Sequence, residues 1–233
     1  MRAWLCLGLT GARPLLVAAV AVGLTTALLA QQPGVHPISG RRYAGVMGYQ
    51  GADWLDREER DIEEAPDIAL AALDLKPGMT VADIGAGSGY MTVRMAKLVG
   101  LAGKVYAEDI QPQMIDILKR RLERDKVTNV VPVLGTIDDP KLPAESIDLM
   151  LLVDVYHEFS EPVKMLAGMR AALKPGGRLV LLEYRKEDPT VPIRLEHKMT
   201  VAEAKREVEA AGFTLTKVDG RLPRQHILIF TKP

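Results

Sequence analysis

Apolar and polar positions alternate along residues 76–233 in a way that predicts an α/β fold. Short apolar, β-branched runs take turns with segments in which apolar residues recur every three or four positions, the spacing of an amphipathic helix. The strand-like runs occupy residues 80–84, 104–108, 129–134, 147–153 and 178–184. The helical patterns lie at residues 90–99, 112–124 and 161–173. This alternation predicts a doubly wound parallel sheet, and the unbroken apolar strands are typical of strands covered on both faces.

The end of the chain departs from this alternation. A helical pattern near residues 200–211 is followed by two strand-like runs, 213–219 and 226–231. The short segment between the two runs leaves no room for the crossover that parallel strands need, so these strands must pair antiparallel. The chain is therefore predicted to form a mostly parallel seven-stranded sheet with an antiparallel final strand.

The first 30 residues have the pattern of a targeting segment. Arg2 and Arg13 precede an uncharged apolar run that extends from residue 15 to residue 30. At about 1.5 Å per residue this run is about 24 Å long, shorter than the roughly 30 Å hydrocarbon core of a bilayer, and it ends in small residues. We interpret residues 1–30 as a signal peptide or a retained membrane anchor. The protein is then expected to be exported, to the periplasm or outside the cell, or membrane-anchored rather than cytoplasmic.

Residues 31–75 are predicted to form an N-terminal arm with helices that cover the main domain, residues 76–233. Gly, Pro and Tyr are frequent over residues 31–51, which predicts an extended arm whose Arg41-Arg42 pair lies in a solvated turn. Residues 53–75 have a helical pattern in two pieces, broken at Pro66, where a first-turn proline is tolerated.

Charge and cysteine content narrow the classes of partner. Thirty basic residues balance thirty acidic ones without a sustained basic stripe, so nucleic acid is not an expected partner. The single cysteine, Cys6, lies in the leader, which excludes a disulfide or a thiolate metal site in the rest of the chain. His36, His197 and His226 lack a partner at metal-ligand spacing, and no metal site is expected.

A glycine-rich turn is the strongest local signal of a ligand site. Gly85, Gly87 and Gly89 follow the strand at 80–84 and precede a helix, so backbone N–H groups can approach a ligand closely, although a tight turn without a ligand is the simpler alternative. The spacing G-x-G-x-G differs from the dinucleotide fingerprint G-x-G-x-x-G, whose third glycine is replaced by Tyr90, and this disfavours NAD. The next strand ends in Asp109, at a separation typical of an acid that binds a ribose.

Together these residues resemble the class I S-adenosylmethionine-dependent methyltransferases over residues 54–230. The resemblance rests on the segments D-I-G-A-G-S-G, V-Y-A-E-D-I-Q-P-Q-M, I-D-L-M-L-L-V-D-V-Y-H-E-F and L-K-P-G-G-R-L-V-L-L-E. It implies S-adenosyl-L-methionine as the cofactor and a seven-stranded sheet with an antiparallel final hairpin. It also implies that the helix with Trp54 and Arg57 closes over the cofactor. The residues implied to bind the cofactor are Asp83, Gly85, Ala86, Gly87 and Gly89 at its methionine end, Asp109 at the ribose, and Ile110, Thr136, Ile137 and Asp138 around the adenine.

Candidate catalytic residues follow the strand at 147–153. Asp154, His157 and Glu158 stand at the carboxyl end of a central strand, where open α/β sheets place their ligands. An imidazole beside carboxylates can act as a general base, and we assign that role to His157. The alternative is that His157 and Glu158 only cap a helix or order the loop. Asp154 is expected to orient either the methionine end of the cofactor or the acceptor.

The function expected from the sequence is methyl transfer to an unidentified small molecule, with a quinone or a phenol-like lipid favoured by analogy. Export of an enzyme whose cofactor is made in the cytosol favours, as the alternative, a non-catalytic protein that binds S-adenosylmethionine or a nucleoside. An NAD-dependent oxidoreductase would rest on the glycine turn alone. The N-terminal segment would supply any membrane association, and the oligomeric state is not predicted.

Overall fold

The computed structural model describes Met1 and residues 34–233. The predicted leader and the first residues of the arm therefore lie outside the described residues, except for Met1. Among the helices of the described part, none combines the length and the apolar character needed to cross a membrane.

Seven helices and eight strands, numbered in chain order, make up the described fold. The helices are α1 (Ala52–Leu55), α2 (Arg60–Glu64), α3 (Pro66–Leu73), α4 (Tyr90–Val99), α5 (Pro112–Arg124), α6 (Pro162–Ala172) and α7 (Val201–Glu209). The strands are β1 (Thr80–Ile84), β2 (Lys104–Asp109), β3 (Val130–Leu134), β4 (Ile147–Val153), β5 (Leu173–Arg185), β6 (Lys198–Met199), β7 (Thr214–Asp219) and β8 (Gln225–Thr231). Short 3-10 turns occupy Tyr49–Gly51, Tyr156–Glu158 and Leu195–His197.

The sheet confirms the predicted α/β architecture. Its strand order is β3-β2-β1-β4-β5-β8-β7, and the two-residue strand β6 pairs with β5 beside this path. Strands β1 to β5 are mutually parallel, whereas β8 is antiparallel to both β5 and β7. The chain order reverses between β1 and β4, which opens a crevice at the carboxyl ends of the central strands.

The central strands are buried on both faces, as their unbroken apolar runs predict. Along β4, Met150 and Leu152 point into one core cluster, and Leu149 and Leu151 point into the other. Helices α6 and α7 cover the first face, and α3 and α4 cover the second. Each of these leucines is removed from water completely, which stabilises the fold by roughly 1.5–3 kcal/mol per side chain. Because both faces of the central strands are covered by helices, a ligand can approach these strands at their carboxyl ends, where the crevice opens.

Two predicted boundaries are wrong for local reasons. Strand β5 begins at Leu173 rather than at residue 178, because Pro175 disfavours helix at the residue before it and the chain is extended directly after α6. Residues 53–75 form three helices rather than two. The extra break follows α1, where the guanidinium of Arg60 donates to the carbonyl oxygen of Leu55 at 2.7 Å and caps that short helix.

The arm packs against the sheet domain, and Arg41 is buried rather than solvated. Its guanidinium binds both carboxylate oxygens of Glu207 in α7, at 3.0 Å each, while Arg42 is exposed. The same guanidinium donates to the carbonyl oxygen of His157 at 3.0 Å. The prediction of a solvated Arg41-Arg42 turn is thus corrected for Arg41, because a buried carboxylate on α7 compensates its charge.

Candidate active site

A cavity of about 690 Å³ opens at the carboxyl ends of β1, β2, β4 and β5. Its volume lies within the roughly 300–1,000 Å³ of small-molecule sites. The side chains around it come from the glycine turn, the ends of these four strands, the arm and the loop before β6. The cavity therefore lies at the crevice where the order of the strands reverses.

The glycine turn is closely packed, which explains why it needs glycine. Gly85 has φ +66°, and a Cβ atom there would lie 2.6 Å from the side chain of Val155. Gly87 has φ +53°, and its Cβ would meet Leu55 at 2.6 Å. Gly85, Ala86 and Gly87 line the cavity, whereas Gly89 faces Leu118 behind it. The structure thus places three of the four predicted turn residues at the cavity.

Two buried acids end β2 beside this turn. Asp109 accepts hydrogen bonds from the backbone N–H of Gly87 at 3.0 Å and of Gln111 at 2.8 Å. Glu108 accepts one from the N–H of Gly85 at 3.4 Å, and its Oε1 has no partner among the described residues. Burial and the neighbouring Asp109 raise the pKa of Glu108 to about 8. Burial also raises the pKa of Asp109. Glu108 had no predicted role, although the sequence shows two adjacent acids at the end of this strand.

Asp83 and Asp154 are the acids of the two neighbouring strands. The hydroxyl of Thr92 donates to Asp83 at 2.6 Å, and burial raises the pKa of Asp83 to about 6. Asp154 has φ +55°, which is uncommon for a residue with a side chain. Its Oδ2 accepts from Gln225 at 3.0 Å, and its Oδ1 has no partner in the described part of the chain. Burial, with the charges of Glu64 and Glu183, raises the pKa of Asp154 well above its usual value.

The buried side chain of Arg60 brings a positive charge to the cavity that Asp83 and Asp154 also line. The guanidinium of Arg60 lies 4.0 Å above the ring of Tyr90 and donates to Glu64 at 2.8 Å. Arg60 and Tyr90 both line the cavity. This end of the cavity therefore offers both a buried cation and a carboxylate oxygen that lacks a donor.

The residues predicted around the adenine are only partly brought together. Ile110, Thr136 and Ile137 line the cavity, but Asp138 does not. Instead, Asp138 accepts a hydrogen bond from the hydroxyl of Thr136 at 2.8 Å. Trp54 lines the cavity, and the guanidinium of Arg57 lies 3.8 Å above its ring.

The turn after β4 and the turn before β6 together form a cluster of two histidines and a glutamate. Nδ1 of His157 lies 2.6 Å from a carboxylate oxygen of Glu183, and the other oxygen of Glu183 accepts from the N–H of Tyr156 at 2.9 Å. Nε2 of His157 lies 3.1 Å from Nδ1 of His197. Oε1 of Glu158 lies 4.0 Å from the first of these nitrogens and 3.9 Å from the second. All three members of the cluster line the cavity.

The cluster corrects one argument made from the sequence. Along the sequence, His197 has no partner at metal-ligand spacing, but the pairing of β6 with β5 brings its loop to the turn that holds His157. The buried Glu183, which orients His157, was also missed. The sequence does contain a signal for Glu183, because it is the acidic residue within the apolar run of β5. Burial raises the pKa of Glu158 to about 7, although the charge of His157 opposes the shift.

Comparison with known proteins identifies the family. A profile of the methyltransferase domain matches residues 75–218, which is more than half of the chain. The chain belongs to the methyltransferase-domain family. A solved S-adenosylmethionine-dependent methyltransferase from Aquifex aeolicus superimposes with a TM-score of 0.77 and 26% identity, over 81% of this chain and 100% of that one. The resemblance seen in the sequence is thereby confirmed, and S-adenosylmethionine is the methyl donor that this family and fold imply.

Two proteins named as methyltransferases match about half of this chain. A protein-L-isoaspartate O-methyltransferase from Methanothrix thermoacetophila is 34% identical over 109 residues, 47% of this chain and 49% of that protein. A ubiquinone/menaquinone biosynthesis C-methyltransferase, UbiE, from Vibrio vulnificus is 33% identical over 113 residues, 48% of this chain and 43% of that protein. The matches span about half the length of each relative. The two names differ in the methyl acceptor, so they do not assign an acceptor to this chain.

The residues at the cavity fit the methyl donor that the family uses. The free Oδ1 of Asp154 can accept from the ammonium of its methionine end, and Arg60 can pair with the carboxylate of the same end. The glycine turn packs closely against Val155 and Leu55, and its Gly85, Ala86 and Gly87 line the cavity where the donor would lie. Asp109 and Glu108 present carboxylates at the position predicted for the ribose. These individual roles remain predictions.

Proposed function

We propose that this methyltransferase transfers the methyl group of S-adenosylmethionine to a small molecule that binds at the His157 end of the cavity. The observation that carries the proposal is that one cavity is lined both by the glycine turn with its acids and by the cluster of His157, Glu158 and His197. A donor on the turn and an acceptor at the cluster would therefore meet in a single cavity.

The main contribution of the chain to the reaction is to align the acceptor with the methyl group of the donor. The cofactor supplies a methyl group made electrophilic by its sulfonium, and transfer is an in-line displacement that depends on how the two reactants are held. The turn at Gly85 and the carboxylates of Asp109 and Asp154 would hold the donor. The turn that follows β4 would hold the acceptor, because Glu183 fixes this turn through both of its carboxylate oxygens.

His157 acts on the acceptor through Nε2. Its Nδ1 is engaged by the carboxylate of Glu183, which assigns the ring proton to Nδ1 and leaves a lone pair on Nε2. That lone pair points toward Nδ1 of His197, and a bound acceptor would replace the hydrogen bond between the two rings. A nucleophilic oxygen, sulfur or nitrogen of the acceptor would bind within reach of this lone pair.

The walls of the cavity favour an acceptor with an apolar body. Side chains from the arm, from the turn after β4, from α6 and from the loop before β6 supply this surface: Val46, Met47, Phe159, Met165, Pro192 and Ile193. Burying such a body contributes about 25 cal/mol per Å² of apolar area. A quinone or phenol-like molecule, with one polar reactive group on an apolar frame, fits this description.

Calorimetric titration of the full chain tests the donor side. We expect S-adenosylmethionine and S-adenosylhomocysteine to bind and NAD, in a parallel cell, not to bind. The Asp109→Ala substitution should weaken binding of both at least tenfold, about 1.4 kcal/mol, because it removes the carboxylate at the ribose position. Asp116→Ala, on the exposed face of α5, is the matched control. A folded chain that binds neither molecule would refute the proposal.

Methyl transfer from labelled S-adenosylmethionine to a panel of quinols and phenols tests the acceptor side. His157→Ala should slow turnover and leave the affinity for S-adenosylhomocysteine nearly unchanged. Normal turnover by this variant would return His157 to a structural role. Cofactor binding without transfer to any member of a broad acceptor panel would instead favour a non-catalytic binding protein.

A further inference from the structure

The three side chains of the cluster present their donor atoms with the spacing of a metal site. The atoms are Nε2 of His157, Nδ1 of His197 and Oε1 of Glu158, separated by 3.1, 3.9 and 4.0 Å. A point equidistant from three atoms with these separations lies about 2.2 Å from each of them, close to the roughly 2.0–2.2 Å of Zn–N and Zn–O bonds. An ion would therefore fit without a change in the backbone.

The surroundings orient the donor atoms as a second shell does in metal proteins. Glu183 binds Nδ1 of His157 at 2.6 Å, so the Nε2 lone pair is aimed into the cluster. The backbone N–H of Met47 donates to Oε1 of Glu158 at 3.3 Å and holds that carboxylate oxygen in place. Two of the three donor atoms are thus positioned by groups that stay outside the cluster.

The contact between the two imidazoles also fits a site that takes a cation. Two ring nitrogens 3.1 Å apart can share only one proton, and the bond of His157 to Glu183 assigns it to Nδ1 of His197. Replacement of this shared proton by a dication would let both lone pairs bind the same charge. The carboxylate of Glu158 then offsets part of that charge.

We propose that His157, His197 and Glu158 bind one divalent transition-metal ion, with Zn²⁺ the best match, and that its fourth position is open to the cavity. Two imidazoles and one carboxylate suit zinc better than magnesium or calcium, which prefer oxygen ligands alone. Three protein ligands with one open position are typical of a catalytic rather than a structural zinc site.

The role of the ion rests on the proposed function. A hydroxyl or thiol of the acceptor would bind at the fourth position through a lone pair, and the ion would lower its pKa so that its proton passes to water. The resulting anion forms the new bond to the methyl carbon while the carbon–sulfur bond of the donor breaks and its electron pair stays on sulfur. The ion then takes over the activation assigned to His157 as a base, because the Nε2 lone pair is used in binding it.

Metal binding by the full chain tests the site without any assay of activity. The chain is stripped with a chelator, titrated with Zn²⁺ against a chromophoric competitor, and then loaded with Co²⁺, whose visible absorption reports tetrahedral coordination. We expect one ion per chain. His197→Gln and Glu158→Gln should each weaken Zn²⁺ binding at least tenfold and abolish the tetrahedral Co²⁺ spectrum, while circular dichroism shows that both variants fold.

Two control variants distinguish this site from other side chains of the chain that could bind Zn²⁺. His226→Gln removes a histidine that pairs with Glu187 at 2.9 Å and does not line the cavity. Cys6→Ser removes the only thiol. Both should bind Zn²⁺ like the wild type. No stoichiometric ion, or equal affinity in the His197 and Glu158 variants, would overturn the site, as would a loss of binding in Cys6→Ser.

The same preparations titrated with S-adenosylhomocysteine separate the two proposals. A chain that binds S-adenosylhomocysteine but no Zn²⁺ refutes the metal site and leaves the proposed function intact. A folded chain that binds Zn²⁺ through His197 and Glu158 but binds no S-adenosylhomocysteine supports the ion site and refutes methyl transfer.

Discussion

Glu108 should make the stability of this chain depend on pH between about 4.5 and 8. Its carboxyl group is buried at the end of β2, beside Asp109 and with one oxygen that has no partner among the described residues. Burial and the neighbouring Asp109 raise the pKa of Glu108 from 4.5 to about 8. A carboxyl group whose pKa is higher in the folded than in the unfolded state favours folding while it is protonated. That contribution is complete below pH 4.5 and is lost as the pH rises to about 8.

The Glu108→Gln substitution removes this titration and keeps the shape of the side chain. A shift of about 3.5 pKa units corresponds to about 5 kcal/mol as an upper bound. Relative to the wild type, the variant should then gain about 1.4 kcal/mol at pH 5.5 and up to about 4.7 kcal/mol at pH 9. Any constant cost of burying an amide cancels in the difference between the two pH values, which is about 3 kcal/mol.

Urea unfolding of the full chain, followed by circular dichroism at pH 5.5 and pH 9, measures this difference. The matched control is Glu123→Gln, on the exposed face of α5, which should shift the midpoint equally at both pH values. A free-energy difference between Glu108→Gln and the wild type that is the same at both pH values would refute the raised pKa. The raised pKa would also be refuted if the wild type lost no stability between them.

Two further substitutions test the packing around the site. Arg41→Ala leaves the buried carboxylate of Glu207 without its cation and should cost about 3–5 kcal/mol in urea unfolding; a loss below about 1 kcal/mol would contradict a buried ion pair. Gly85→Ala places a methyl group 2.6 Å from Val155 at φ +66°, so calorimetry should show at least tenfold weaker binding of S-adenosylhomocysteine. Gly100→Ala, also at positive φ but with open space around it and outside the arm, should bind like the wild type.

The parts of the fold that the sequence predicts well are those determined by local pattern. The predicted range 80–84 coincides with β1, and 90–99 coincides with α4, because glycines end the strand and the helix on either side. The antiparallel end of the sheet also follows from local information, since the link between β7 and β8 is too short for a crossover. Patterns within about ten residues were sufficient for these elements.

The site is less predictable because its members meet through the sheet rather than along the chain. His157 binds Glu183, 26 residues away, and His197, 40 residues away. No motif of fixed spacing joins these three, and only the pairing of β4, β5 and β6 brings them together. The glycine turn and Asp109, in contrast, follow one another across a single strand–helix–strand unit, and the N–H of Gly87 donates to Asp109 at the cavity.

The arm takes part in the site as well as covering it. Three of its groups bind the turn that carries His157 and Glu158: the guanidinium of Arg41 and the N–H of Ala44 donate to the carbonyl oxygen of His157, and the N–H of Met47 donates to Glu158. Because these bonds join the arm to the backbone and side chain of that turn, the cluster keeps its geometry only while the arm stays in place. Changes in the arm far from the cavity should therefore alter how His157 and Glu158 bind a ligand, even where the sheet remains fully folded.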